Sequence, residues 1–309
     1  MEKEFRYIFG PVPSRRLGIS LGISPIPKKT CNYSCIYCQL GRTDRMTNTR
    51  KSFFPPEEII RELEEYISSE KSFDAVTIVG EGEPTLCLDL GYLIDEIKKR
   101  TSVPVAVITN GALLYESALR DDLRKADIVL PSFDAYDEAS FRRINRPHGD
   151  ISFSMYYEGL IEFSHNYEGE LWLEIMLMKG INDDDAALFR YSSMLKKINY
   201  SKLYINTPVR PPAEDGVFCI DEDRMKSASD ILNGISIDRL VSTGFKSEIP
   251  DDLSAILSII KRHPMNSFEI TAFLRSRENE DPDGLIRILE GREDVASIDY
   301  KGFKTYRLK

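Results

Sequence analysis

Thr30-Cys31-Asn32-Tyr33-Ser34-Cys35-Ile36-Tyr37-Cys38-Gln39 sets three cysteines within eight residues, spaced C-x3-C-x2-C with an aromatic just before the last. Thiolates are soft ligands, suited to an iron–sulfur centre or to zinc. A four-iron cube takes four ligands, and this stretch supplies three, so one iron is left for a ligand from outside the chain. A zinc site and unmetallated thiols are the other readings of the same spacing. The two remaining cysteines, Cys87 and Cys219, are too few to build an independent four-cysteine centre.

Outward from this loop the chain alternates between strand and helix patterns, which predicts parallel βα units. A strand over Ile19–Ile26 would feed the cysteines. Asp74–Gly80, Val103–Thr109, Ile128–Phe133, Leu171–Met178 and Leu203–Asn206 read as further strands. A helix opening at Pro55-Pro56-Glu57-Glu58 carries Ile59, Ile60, Leu63 and Ile67 at helical spacing. Further helical patterns fall near 88–100, 113–124, 136–144, 152–164 and 184–197. About six units result, too few for a closed eight-unit barrel. The count fits a partial barrel and equally a doubly wound sheet.

In such folds ligands gather at the C-terminal ends of the strands. Gly80-Glu81-Gly82-Glu83-Pro84 ends one strand, where glycines permit close backbone approach and a carboxylate could grip an ammonium. Thr109-Asn110-Gly111 ends the next, and Ser132-Phe133-Asp134 the one after. Ser132 and Asp134 could instead cap the following helix. Glu174 interrupts the apolar run Leu171–Leu177 and points either into a barrel or out to solvent.

The residues around the cysteines resemble the radical S-adenosylmethionine (radical SAM) superfamily. The resemblance implies an α/β partial (β/α)6 TIM-like barrel and a [4Fe–4S] cluster held by Cys31, Cys35 and Cys38. S-adenosylmethionine (SAM) would complete the cluster through its amino and carboxylate groups. By the same resemblance Gly82, Glu83 and Pro84 meet the SAM methionine, and Tyr37 packs on the adenine. Thr109, Asn110, Ser132, Asp134 and Glu174 complete the cofactor shell. Gly10-Pro-Val-Pro-Ser-Arg-Arg-Leu-Gly18 and Ile205-Asn-Thr-Pro-Val-Arg-Pro-Pro-Ala-Glu214 look like the subgroup related to tRNA wyosine synthases. Those enzymes hold a second cluster on upstream cysteines, and no cysteine precedes Cys31 here.

The chain of 309 residues carries net charge −9, but residues 1–50 hold nine Lys/Arg against three Asp/Glu. A basic segment around the loop could receive an anionic substrate such as RNA. Arg15, Arg16, Arg143, Arg146 and Arg210 are the candidate contacts, because guanidinium forks suit phosphate and carboxylate. His165 and His263 read as ordinary surface or core residues. The cysteine usage and the absence of a long apolar run predict a cytoplasmic protein with no membrane span. A one-electron donor of flavodoxin or ferredoxin type is the implied partner.

Residues 1–250 are expected to form the barrel and residues 251–309 a small winged-helix-like domain. The latter rests on helices at Leu253–Arg262, Ser267–Leu274 and Asp281–Gly291, then a hairpin over Val295–Tyr300 and Phe303–Leu308 turning at Lys301-Gly302. Ten Lys/Arg against eleven Asp/Glu argue against a duplex-DNA reader. The expected function is therefore a radical SAM enzyme acting on tRNA or on a protein, peptide or small metabolite. The alternative of another class is a zinc-binding winged-helix regulator.

Overall fold

The computed structural model describes residues 5–68, 72–237, 244, 245, 247, 249–300 and 302–309. Met1–Glu4 and the turn residue Lys301 lie outside the described residues. In chain order the first part comprises β1 (Ile8–Ser14), β2 (Gly18–Ile23), β3 (Thr30–Cys31), β4 (Arg45–Met46), α1 (Pro56–Ile67), β5 (Ala75–Ile78), α2 (Leu90–Arg100) and β6 (Val105–Thr109). It continues through α3 (Ser117–Leu123), β7 (Ile128–Pro131), α4 (Glu138–Ile144), α5 (Phe153–Asn166), β8 (Glu170–Met176), α6 (Asp185–Leu195), β9 (Lys202–Asn206), α7 (Glu222–Leu232) and β10 (Ile235–Ser236).

Eight strands form one sheet in the order β1-β2-β5-β6-β7-β8-β9-β10. β1 runs antiparallel to β2, and every later pairing in this sheet is parallel. Each new parallel strand adds beside its predecessor, with no reversal of order. A doubly wound sheet reverses at a switch point, so this winding is that of a partial barrel.

Side-chain alternation along the strands explains the layering. On β8, Leu171, Leu173 and Ile175 join the large core shared with helical residues such as Leu160 and Leu188. Trp172 faces the other way, into a small cluster with Ala75, Ala106, Leu130 and Tyr204. Glu174 and Met176 lie on the same inner face and line a cavity. Helices therefore cover one face, and the other encloses the site.

Helix entries follow local chemistry. α1 begins at Pro56 with Glu57 and Glu58 in its first turn, where a fixed φ and negative charge suit a helix start. α4 is capped by Asp137, whose carboxylate accepts from Ser140 N at 2.7 Å. Neither Ser132 nor Asp134 is a cap. β1, α7 and β10 are additional to the strands and helices read from the sequence pattern.

The C-terminal part comprises α8 (Asp252–Ile260), β11 (Met265–Asn266), α9 (Ser267–Ser276), α10 (Pro282–Glu290), β12 (Val295–Tyr300) and β13 (Phe303–Leu308). Its three strands pair antiparallel in the order β11-β13-β12. Ile256, Ile260, Ile270, Phe273, Leu274, Leu289 and Tyr306 form a hydrophobic cluster of its own. This part also bonds to the barrel. Tyr300 donates to Pro208 O at 2.7 Å, Arg262 donates to Arg6 O at 3.2 Å, and the Arg262 guanidinium lies 4.7 Å over the Phe9 ring. No helix among the described residues is long and apolar enough to cross a membrane.

Candidate active site

Cys31 ends the short strand β3, and Cys35 and Cys38 follow on the loop that leaves it. Amide groups point at two of the sulfurs. Tyr33 N and Asn110 Nδ2 donate to Cys31 Sγ at 3.4 and 3.7 Å, and Asn145 Nδ2 donates to Cys35 Sγ at 3.6 Å. Donors of this kind favour sulfur that carries negative charge. With the thiols in an apolar setting, burial pushes all three up from the ordinary thiol range. Glu83 adds to the rise at Cys31 and Asp134 at Cys35.

Among the described residues no three His, Cys, Asp or Glu side chains already converge to ion-holding distance. The three soft thiols, on a loop whose sulfurs meet N–H groups, fit an iron–sulfur cluster completed from outside the chain.

The strand-end loops lock onto this cysteine loop. A Cβ at Gly82 would fall 2.0 Å from Thr30 O, so the loop after β5 can lie this close only as glycine. Glu83 N donates to Thr30 O at 3.0 Å. The Glu83 carboxylate is buried and accepts from Thr85 N (3.0 Å), Thr85 Oγ1 (2.5 Å), Thr109 Oγ1 (2.6 Å) and Asn110 N (2.7 Å). Burial still raises it above the usual carboxylate range, against the opposing pull of those donors. It ties the end of β6 to the loop after β5. Asn110 passes the link onward by donating to Asn32 Oδ1 at 2.7 Å.

Asp134 plays the matching part on the other side. Its buried carboxylate accepts from Tyr37 OH, from Asn145 Nδ2 at 3.1 Å and from Met176 N at 2.9 Å. Tyr37 is thereby held from its hydroxyl end, beside Cys38 on the cavity wall. Asn145 is buried against Cys35. Ser132 pairs with Glu174 across β7 and β8, and its carbonyl accepts from Tyr156 OH at 2.5 Å.

A cavity of about 450 Å³ opens beside these residues. The cysteine loop contributes Tyr37 and Cys38, the strand ends Gly80, Gly82, Glu174 and Asn206, and the β1–β2 turn Arg15 and Arg16. Arg16 ion-pairs Glu174 across the interior, and burial lowers it to about 10. The C-terminal part supplies His263 and Glu269 to the same wall. Of the two alternatives read for His263, surface or core, the structure gives the buried one, on the cavity wall. Its Nδ1 is buried without a hydrogen-bond partner, and burial, with Arg210 nearby, lowers it to about 4. No spacing around His263-Pro264 signals this position, because it depends on two distant parts of the chain meeting.

The candidate arginines divide. Arg15, Arg16 and Arg210 line the cavity. Arg146 pairs with Glu214 at 2.6 Å, and Arg143 lines a separate surface depression with Tyr136, Asp137 and Arg190. Cys87 is buried in the core, and Cys219 bridges to Met178.

Residues 26–191 match the Radical SAM superfamily. The chain belongs to the radical SAM superfamily. Membership makes it an enzyme and implies SAM with an iron–sulfur cluster. It is 35% identical over 312 residues to a UPF0026 protein of Methanocaldococcus jannaschii, covering 97% of this chain and 95% of that one. It is also 42% identical over 221 residues to a Brachyspira hyodysenteriae protein named GTPase Obg, covering 72% of this chain. The chain spans only about a third, 32%, of that relative. A radical SAM methyltransferase from Sphaerobacter thermophilus shares the fold, with a TM-score of 0.55 at 13% identity over 71% of this chain and 68% of that one.

Proposed function

We propose that this enzyme cleaves SAM reductively at a [4Fe–4S] cluster held by Cys31, Cys35 and Cys38 and modifies an anionic substrate, with tRNA the first candidate. The observation that carries the reading is a three-cysteine loop in which amide N–H groups meet the sulfurs of Cys31 and Cys35 while Cys38 lines the cavity at the C-terminal strand ends. When bound, the cluster and SAM together supply methionine and a 5′-deoxyadenosyl radical able to abstract hydrogen from a substrate.

The chain's own residues orient and exclude. Asn110 and Asn145 hold two thiols by donating to their sulfurs. Glu83 braces the Gly82 backbone, proposed to face the SAM methionine with Pro84, while Thr109 and Asn110 complete that side. With four protein donors already on its carboxylate, Glu83 acts by shaping the loop. Asp134 sets Tyr37 at the proposed adenine side, next to Ser132. Arg16 and Glu174 hold opposite charges inside the cavity, where an anionic substrate can exchange for the carboxylate. The C-terminal part, read here as winged-helix-like, closes one wall and keeps water from the interior.

Lys28, Lys29, Arg42 and Arg45 surround the cysteine loop in sequence and favour RNA, whose phosphates would meet this rim while one nucleotide enters. The walled cavity favours a second reading, a small metabolite taken whole. A one-electron donor is required in either case.

The test is anaerobic reconstitution with iron and sulfide, then 5′-deoxyadenosine formation from SAM under reductant. Addition of bulk tRNA should raise deoxyadenosine output and leave a mass change on the RNA. Stimulation by a low-molecular-weight extract alone would favour the metabolite. A protein that binds zinc and never cleaves SAM would overturn the reading.

A further inference from the structure

The three cysteines do not sit in equal fields. Cys31 and Cys35 each lie one amide away from a buried carboxylate. Asn110 bonds Cys31 Sγ with its side chain and Glu83 with its backbone, while the Asn145 side chain bonds both Cys35 Sγ and Asp134. Cys38 faces cations. A Cβ at Gly41, three residues beyond it, would stand 3.7 Å from Lys29 Nζ and 3.9 Å from both terminal nitrogens of Arg307.

Arg307 comes from β13, the middle strand of the C-terminal sheet, and donates to Gln39 O, next to Cys38, at 3.2 Å. The contact is reinforced at the chain end, where Lys28 Nζ donates to Lys309 O at 3.2 Å. Gly41 is in the left-handed region (φ +86°), which turns the loop between the two cations. The final strand thus reaches back across 268 residues to grip the cysteine loop.

We propose that Arg307, with Lys29, is a positioning pair that holds positive charge at the Cys38 side of the cluster, so that the C-terminal part governs how readily the cluster accepts an electron. The inference rests on the functional reading above. Reduction adds one electron to a region already crowded by Glu83 and Asp134, and a nearby fixed cation offsets that charge. Arg307 is half-buried, where screening by salt is weak. The pair gives the C-terminal part a reason to touch the cysteine loop that packing of its own hydrophobic core does not require.

The experiment is an anaerobic redox titration of full-length protein followed by electron paramagnetic resonance, with iron content measured in parallel. Arg307→Gln should move the cluster potential to more negative values. At the wild-type midpoint its ratio of reduced to oxidised protein should fall on the order of threefold or more. Arg307→Lys should restore most of the shift. Lys304→Gln removes the same charge on the opposite face of β13, where Lys304 pairs with Glu290 at 2.7 Å, and should leave the potential in place. If Arg307→Gln loses iron, retention of iron by Arg307→Lys supports the pair, and loss in both variants overturns it in favour of packing alone. An unchanged potential in iron-replete Arg307→Gln, or an equal shift in Lys304→Gln, also overturns it. Wild-type protein that takes up no four-iron cluster would instead overturn the functional reading beneath it.

Discussion

Arg210, in the segment after β9, grips Glu269 of α9 with both terminal nitrogens, at 2.9 and 3.1 Å. The same guanidinium donates to Pro264 O. Glu269 is also the third residue of its helix and accepts from Asn266 N at 2.9 Å, closing a capping box. One carboxylate therefore starts a helix and ties the C-terminal part to the barrel.

Arg210→Met should loosen this junction. Both partners are largely shielded, so the unpaired Glu269 would cost about 1–3 kcal/mol. Chemical denaturation should report that loss. Limited proteolysis should cut between the barrel and α8 faster than in wild type. Iron content should hold, because no cysteine touches the pair.

Alanine at Cys31, Cys35 or Cys38 should each abolish the cluster and SAM cleavage. Alanine at Cys87 or Cys219 should not. Iron analysis after reconstitution checks this, with about four irons per wild-type chain expected. A count near eight would mean a second cluster.

Gly82→Ala has nowhere to put its methyl, since the atom 2.0 Å away is backbone Thr30 O rather than a movable side chain. Either β3 or the loop after β5 must shift, at about 1–3 kcal/mol. Because β3 carries Cys31, iron uptake should fall along with the melting temperature. Gly149→Ala, where nothing lies within 4 Å, is the matched control and should show neither effect.

His263 should leave a pH signature. Its folded value near 4 lies below the usual 6.5, so the fold favours the neutral ring. The associated stability is fully present above pH 6.5 and is lost as pH falls through 4, by about 3 kcal/mol in all. His263→Gln should flatten that window. Denaturation midpoints for both proteins at pH 7, 5.5 and 4.5 measure it. Parallel curves would show that the ring titrates normally.

Glu83→Gln replaces one acceptor oxygen by an amide NH2 group that faces N–H and O–H donors. The misplaced donor should cost about 1–3 kcal/mol. SAM cleavage should drop because the loop bearing Gly82 loses its brace, while the brown colour stays. Wild-type cleavage by this variant would remove Glu83 from the site.

Much of this was legible before any coordinates. The cysteine spacing is local, and a ligand set within eight residues survives any packing of the rest. The βα rhythm was legible because strand and helix periods differ: β5, β6 and β7 fall within the segments that alternation picks out, and β8 and β9 each begin one residue before theirs. β1 was not, because Gly10, Pro11 and Pro13 read as loop punctuation. It pairs with β2 through a ladder with an irregular register between Phe9 and Val12.

Residue type and spacing alone determined the soft-ligand loop, the parallel units and the acidic or small residues at the strand ends. Tertiary structure decided what those residues face. Glu83 and Asp134 were legible as polar strand ends, but only packing spends their carboxylates on Thr109, Asn110, Tyr37 and Asn145. Arg143 and Arg146 share a stretch of sequence yet part company in space, and His263 and Arg307 reach the site from the far end of the chain. Contacts of that kind link residues tens to hundreds of positions apart. They exist only once the sheet has curved and the C-terminal strands have closed against it, so no local pattern encodes them.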